Sequence, residues 1–574
     1  MSRALAVAAL LLTCTLAIAA GSDAEARFRG TGKADPVRIA NVRRSEGPVA
    51  GQSSVTFDLA WDWSWRATWE VPGEQHGGKG PLKLENWDAA WVFVKFRKPG
   101  AEGYSHATLS TNKADHRVPG GAALDIGPSG DGKRGLGVFI CRDAPGHGAN
   151  EWKGVTLRWL HSTDGVADPG AVDLKVFAIQ MVHVPQCAFW AGDGSTTPVA
   201  AQFSAGDTTD PFRVEREDAI TLGGESRKNL GNRDSLGIRL ADDFNSVVTQ
   251  PLPARFPKGY AAFYCMRHEI SQGQYVEFLN TLSFEQQAQV IGHGLSGKSK
   301  PDAVAGSLLE EHASKYRNGV KIEVPGVKPA TPAALETDTP HLPHGSGWYH
   351  QITVTGSPGK GGCKGVFYAA WAGLRPMTEL EYEKACRGPL KPVPGEYAWG
   401  TAQVAGSNSE KPPRDGYALR NPGKPDESVV WEGANGPDAT RGNAAWAGTI
   451  MQEFGQYRYF ALNPIHGPLR VGIFATPESG RVAAGASYWG ILDLTGSLWE
   501  ELVVVGHLPD PWNEVRKQGR RFAGTHGDGT LSQLAGWDAL GQRGGAFDSP
   551  PMSVSHRVGH GYGSSGFRCV RTAP

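Results

Sequence analysis

The sequence predicts an α+β chain in which an antiparallel β-sandwich, residues 27–177, precedes a loop-rich mixed region, residues 178–574. Three observations carry that expectation. Apolar and polar residues alternate in several short runs of the first part, and two helix-start signatures stand in the second. The 574 residues include 76 glycines, 39 prolines and 18 tryptophans, with no sustained heptad, which favours short strands and long loops over helical bundles. A chain this long exceeds one compact core, so two or three domains are expected.

The first 26 residues read as a secretory leader. Arg3 supplies the positive start and "ALAVAALLLTCTLAIAA" the apolar run, and small residues at Ala17 and Ala19, or at Ala24 and Ala26, offer cleavage sites. Cys14 raises lipoprotein anchoring, but Thr13 precedes it and the apolar run continues past it, so simple secretion to a periplasmic or other extracytoplasmic space is the favoured reading. No later segment has the roughly 20 consecutive apolar residues of a membrane span. Lysine plus arginine balances aspartate plus glutamate at 58 each, and no basic stripe occurs, which argues against nucleic acid as a partner. Removing the leader leaves six of the seven cysteines; sequence does not choose among their pairings, and no C-x-x-C suggests a redox or zinc pair.

In the sandwich, "SVTFDLAWDWSW" puts Val55, Phe57, Leu59, Trp61, Trp63 and Trp65 on one face of a half-buried strand. "AAWVFVKF", "LGVFICR", "VTLRWLH" and "VDLKVFAIQMVHV" repeat the theme between turns. The tryptophans could stack on carbohydrate, but alternating aromatics usually point inward, and core packing is the favoured reading. In the second region Ser271 and Gln274 form a capping box ahead of Tyr275, Phe278 and Leu279, and Thr378 and Glu381 form another. The stretch 290–350, rich in Gly, Pro, His and Thr, reads as an insertion.

Taken in order, the landmarks of the second region resemble the sulfatase-modifying-factor family, the formylglycine-generating enzymes and their relatives. "MVHVPQCAFWAGDG" is similar to the family's opening strand and turn, with Gln186-Cys187 where a Gly-Gly is usual. "FYCMRHEISQGQYVEFLN", "FYAAWAGLRPMTELEYEKACRG", "YAWGT", "WGILDLTGSLWEE", "RGGAF" and "GFRCVR" follow in the family's order. The resemblance implies a C-type-lectin-like, formylglycine-generating-enzyme fold over residues 178–574 and leaves the sandwich outside it. In catalytic members two cysteines bind copper(I), the soft-thiolate choice for a soft metal. Counted without gaps from Arg543, those positions fall on Ser549 and Val554, so copper is not expected. Cys386 and Cys569 stand at two family half-cystine positions whose partners fall on Gly559 and Ala369, leaving them free or newly paired, with Cys363 as one candidate.

A structural calcium site is implied more strongly, with side-chain oxygens from Asp493 and Glu500 and carbonyls from Gly496 and Leu498, a hard-oxygen set that suits the ion. Asn443 in "GNAAW" resembles the start of a second calcium site. His526, His556 and His560 are a weaker alternative metal set, on glycine-rich loops and without helical spacing. The expected function is therefore a secreted, non-catalytic family member that binds a protein, peptide or glycan. The alternatives are a metal-dependent oxidoreductase acting on a protein thiol or small molecule, and a structural component of an envelope or secretion assembly.

Overall fold

In the computed structural model the described residues are 24–196, 201–233, 242–291, 295, 317–327, 331–343, 364–406, 416–449, 453–454, 457–458, 467–508, 517–532, 534–558 and 564–574. Cys14, Cys363, Gly559, His560 and nearly all of the expected leader lie outside them. The fold is mixed and strand-rich. Its main strands are β1 (Arg38–Glu46), β2 (Ser53–Val71), β3 (Leu82–Arg97), β4 (Ala122–Pro128), β5 (Gly135–Arg142), β6 (Gly146–Trp159), β7 (Asp173–Val184), β8 (Phe263–Met266), β9 (Arg375–Pro376), β10 (Trp499–Val503), β11 (Leu540–Arg543), β12 (Ser565–Gly566) and β13 (Cys569–Thr572). The helices that matter below are α1 (Gln272–Leu279), α2 (Phe284–Ile291), α3 (Lys364–Trp371) and α4 (Glu379–Arg387). Among the described residues no helix is long and apolar enough to cross a membrane.

The expected alternation in β2 holds from Val55 through Phe57 and Leu59 to Trp61, all buried, and these join Val92, Val138, Ile140, Leu157 and Trp159 in one apolar cluster. The single six-residue face does not continue. The β2–β6 pairing shifts register between Trp61 and Ser64, Trp63 is left half-buried, and Trp65 enters a different cluster with Val184, Cys265 and Cys386. A bulge of this kind bends and twists a strand; beyond it β2 pairs with β6 again over Ser64–Arg66, where β6 starts, and runs along β3 from Arg66 to Val71. The tryptophans serve packing: Trp61, Trp65, Trp91 and Trp159 are fully buried, and the buried indoles of Trp61 and Trp91 find partners in the Asp88 carboxylate and the Ala372 carbonyl, 2.7 and 2.8 Å away.

The expected boundary at 177/178 falls inside β7. That strand pairs with β3 over Asp173–Val182 and with β8 over Met181–Val184, and the sheet continues in the order β1-β2-β3-β7-β8-β13-β9. One sheet thus runs through both parts of the chain. Its second face is covered by α3, where Trp371 meets Phe93 and Phe177 edge-on at 5.1 and 5.0 Å, and by the buried Lys95 ammonium, which donates to the Trp371 carbonyl at 2.8 Å and the Gly529 carbonyl at 2.6 Å. The stretch 290–350 is not all loop: Val320–Val324 and Ala334–Thr337 pair antiparallel.

Both capping boxes form as the sequence reads, each with the reciprocal side-chain and backbone bonds. Phe189, Tyr275, Phe278, Trp371, Tyr382, Trp499 and Phe567 are all buried. Helix α4 is buried along its whole length, charges included. Arg557 reaches Glu379 and Asp242 at 2.7 Å each, Arg543 reaches Glu379 and Glu383 at 3.3 and 3.2 Å, Arg387 pairs with Glu383 and Glu396, and Arg375 forks onto Glu381 at 2.6 and 2.8 Å. Burial alone would raise the Glu379 carboxyl, but Arg557 and Arg543 outweigh it and hold it below the usual range.

Candidate functional site

Between apolar β8 and the cap of α1 the chain reads Arg267-His268-Glu269-Ile270-Ser271. β8 is fixed by pairing with β7 and β13, and α1 by its capping box, so these side chains are held from both ends. Opposite them runs the segment 30–37, anchored by buried Ala26 and Phe28 and by Gly30, where a Cβ would stand 2.8 Å from the Ala475 carbonyl oxygen. These two segments, together with Gln180, His341, Arg470 and Gly472, enclose a cavity of about 290 Å³.

The cavity wall carries buried polar groups with unfilled bonding capacity. Arg267, 3% exposed, lays its guanidinium over the Trp65 ring at 4.9 Å and donates from Nη2 to the Arg29 carbonyl at 2.7 Å, while its Nε has no partner. Gln180, 6% exposed, donates to Asp88 at 2.7 Å, and its Oε1 has none. The His268 Nδ1 stands 3.9 Å from Asp493 Oδ2, beyond hydrogen-bonding range, and burial lowers this imidazole to about 4. Asp35 accepts from the backbone amides of Asp62 and Trp63 at 2.5 and 2.7 Å; burial nevertheless raises its carboxyl to about 6. Glu269 accepts from the Leu498 amide at 3.0 Å and the Ser497 hydroxyl at 3.2 Å, and burial, with Glu500 and Asp493 nearby, raises it well above the carboxylate range.

The sequence-predicted residues divide around this cavity. Asp493 lies just behind it, accepting from the Gly472 amide at 2.6 Å. Glu500 takes a two-nitrogen grip from Arg568 on one oxygen, at 2.6 and 2.8 Å, while its other oxygen is buried without a partner. Gly496 adopts φ +80° and packs so tightly that a Cβ would sit 2.4 Å from the Ala445 carbonyl oxygen, so no other residue fits that turn. Three carboxyls, Glu269, Asp493 and Glu500, therefore act on one another electrostatically, with Arg568 beside Glu269 and Glu500 and with Arg267 and Arg470 near Asp493. Among the described residues no group of three His, Cys, Asp or Glu side chains could hold a metal ion. The implied calcium set asks for two carboxylates and the carbonyls of Gly496 and Leu498, and the orphaned Glu500 oxygen fits it. Asn443 fits less well: its amide accepts from Tyr417 at 2.5 Å and donates to the Ala483 carbonyl at 2.6 Å, so both ends are engaged.

Ser549 is half-buried, with its hydroxyl accepting from the Ala546 amide at 2.8 Å to close a turn. Val554 is 0% exposed and packs with Tyr382, Cys386 and Trp489; its backbone bonds Glu396 and Arg543. The five described cysteines, Cys141, Cys187, Cys265, Cys386 and Cys569, are buried and unbonded to one another. Burial raises every one of these thiols, Cys386 and Cys141 to about 12. His526 accepts from the Thr572 amide at 3.0 Å, and burial pushes it well below the usual imidazole value; burial lowers His556 to about 4. The expectation of a shared histidine centre gains no geometry from these two.

Sequence reasoning passed over Arg267, His268, Gln180 and Asp35. The available signal was a run of three ionisable residues wedged between an apolar strand and a helix cap, where a four-residue connection has little reason to be charged. No protein-family model, curated protein or solved structure matches the chain.

Proposed function

We propose that this chain is a secreted, non-catalytic relative of the sulfatase-modifying factors, in which residues 178–574 form a C-type-lectin-like fold that binds a protein, peptide or glycan. The observation that carries this reading is Val554. Counted from Arg543 it stands where a copper-binding thiolate would, and its side chain is packed among Tyr382, Cys386 and Trp489. Thiol oxidation of the formylglycine-generating type needs an accessible thiolate pair to hold copper(I) and exchange with the substrate thiol. Ser549, the other position, spends its hydroxyl on a turn, and the described thiols are raised by burial.

Calcium belongs to the same reading. Asp493 and Glu500 would hold it with the carbonyls of Gly496 and Leu498, and the ion would complete the orphaned Glu500 oxygen. Calcium at a hundred times its dissociation constant stabilises the fold by about 2.7 kcal/mol, so melting temperature should rise with calcium and fall with chelator, and the gain should vanish in Asp493→Ala. Absence of any shift would remove calcium from the account without touching the rest.

The functional reading is tested by anaerobic copper(I) titration against a competing chelator. The wild-type chain should not compete, whereas tight equimolar binding would make an oxidoreductase the better reading. Ser549→Cys/Val554→Cys, if it gains copper binding, would identify these positions as those of the family pair.

A further inference from the structure

We propose that the cavity between the 30–37 segment and the β8–α1 connection is a binding site for a small zwitterion bearing an ammonium and a carboxylate, as in a free amino acid or a short peptide. The proposal is independent of the family resemblance: the cavity is lined by neither Ser549 nor Val554, and it stands or falls whichever way the copper titration goes.

Two buried side chains that line the cavity, Arg267 and Gln180, each keep an unpartnered atom, Nε and Oε1, shut off from solvent behind the wall. A buried donor or acceptor left unpaired costs about 1–3 kcal/mol. Both signs of charge face the space. Arg267 lies inside and exposed Lys33 at the rim, while Asp35 lies inside and exposed Glu277 at the rim. The remaining charged groups are more fully engaged: Arg470 donates to the carbonyls of Glu427, Val471 and Gly32, and Glu269, 1% exposed, accepts on both oxygens from Ser497 and Leu498. Asp35, whose oxygens each accept one backbone amide from Asp62 and Trp63, keeps a second lone pair on each oxygen and a side chain 10% exposed. Arg38 stands 3.8 Å from Asp35, too far for a hydrogen bond.

A ligand carboxylate can therefore take the Arg267 guanidinium and the Lys33 ammonium. A ligand ammonium can donate to Asp35 and Glu277. A ligand carrying only one charge would leave the opposite set uncompensated. The volume, about 290 Å³, is at the small end for small-molecule sites, which suits one or two amino-acid residues. Arg267 is preorganised for the task by its stack on Trp65 and its bond to Arg29, so little side-chain entropy is lost on binding.

Calorimetry and thermal shift on the full chain test this with L-alanine, L-alanyl-L-alanine, N-acetyl-alanyl-alanine, alanyl-alanine amide and maltose. One or both zwitterions should bind with single-site stoichiometry, and capping either terminus should weaken binding about tenfold or more, as loss of a charge-assisted hydrogen bond demands. The comparison of alanine with alanyl-alanine tells a free amino acid from a peptide. Arg267→Lys keeps the charge but loses the fork and the stack, and should weaken both zwitterions. Should it not fold, Glu277→Gln at the exposed rim reads the ammonium contact instead, with the amide-capped dipeptide losing the most affinity. No binding of either zwitterion at millimolar concentration, equal binding of the capped forms, or binding of maltose alone would overturn the proposal.

Discussion

The layer built on β2 and β6 and the surroundings of α4 are both buried, yet they are held together by opposite means. Around β2 the buried side chains are Val55, Phe57, Leu59, Trp61, Leu157 and Trp159, and stability comes from removing apolar surface from water, about 25 cal/mol per Å². Around α4 the buried side chains include Glu379, Glu381, Glu383, Arg387, Arg543 and Arg557, whose desolvation is repaid only because each charge meets a partner of opposite sign. The difference teaches where this molecule tolerates change. A truncated hydrophobe leaves a cavity that neighbours partly fill, whereas a deleted arginine leaves a buried carboxylate with no such remedy.

The sharpest way to break that comparison is Arg557→Met. It removes the ion pair of Asp242 and leaves Glu379 only the longer Arg543 contact at 3.3 Å, and should cost about 3–5 kcal/mol, read as the shift in urea midpoint. Adding Glu379→Met should recover part of that loss, giving a large coupling energy, because the second change removes an underpaired charge. Leu59→Ala on β2 should cost about 2–5 kcal/mol by transfer and cavity terms, and an added truncation at distant Phe567 should be additive. Equal coupling in the two regions would erase the distinction.

A second contrast is in acid. His183 stacks on Trp87 at 3.8 Å, and burial, with Lys384 and Arg66 nearby, lowers it to about 3, against about 6.5 in an unfolded chain. Between those values the unfolded chain holds a proton that the folded chain refuses, so the neutral imidazole's contribution is intact above pH 6.5 and lost as pH falls toward 3. Relative to His183→Phe, which keeps the stack and cannot titrate, the wild type should therefore lose melting temperature across that window and run parallel above it. Parallel curves throughout would mean the imidazole titrates alike in both states.

The smallest effects belong to the caps. Thr378→Ala removes a bond to the Glu381 amide and one to the Pro257 carbonyl at 3.0 Å, and should cost about 1–2 kcal/mol; Ser271→Ala, half-exposed, about 0.5–1 kcal/mol. Reversal of that order in melting temperature would mean that burial at α4 does not amplify local interactions.

What the sequence made legible was local. A cap and its partner three residues on, or an apolar residue every second position, specify themselves without knowledge of the remaining chain, and Ser271, Thr378 and the Val55–Trp61 run form as read. The exit of β2 toward β3 was not legible, because the shift after Trp61 depends on which strand, β3 or β6, lies beside each half. Nor was the sheet's passage through β7, which is decided by β8 and by β13 at the far end of the chain. The cavity is hidden for the same reason: Asp35, Gln180 and Arg267 meet only through tertiary structure, and each alone resembles an ordinary surface polar residue. For Val554 the count from Arg543 gave the position but not its burial.

Oxygen consumption with a cysteine-containing sulfatase-type peptide, in the presence of copper(I) and a thiol reductant, tests the proposed function most directly. Uptake should not exceed that of copper, reductant and peptide without the protein, and the peptide cysteine should remain intact by mass. Protein-dependent uptake accompanied by conversion of that cysteine to an aldehyde would contradict the account. Persistence of that turnover in Cys386→Ala/Cys569→Ala would direct the search to His526, His556 and His560.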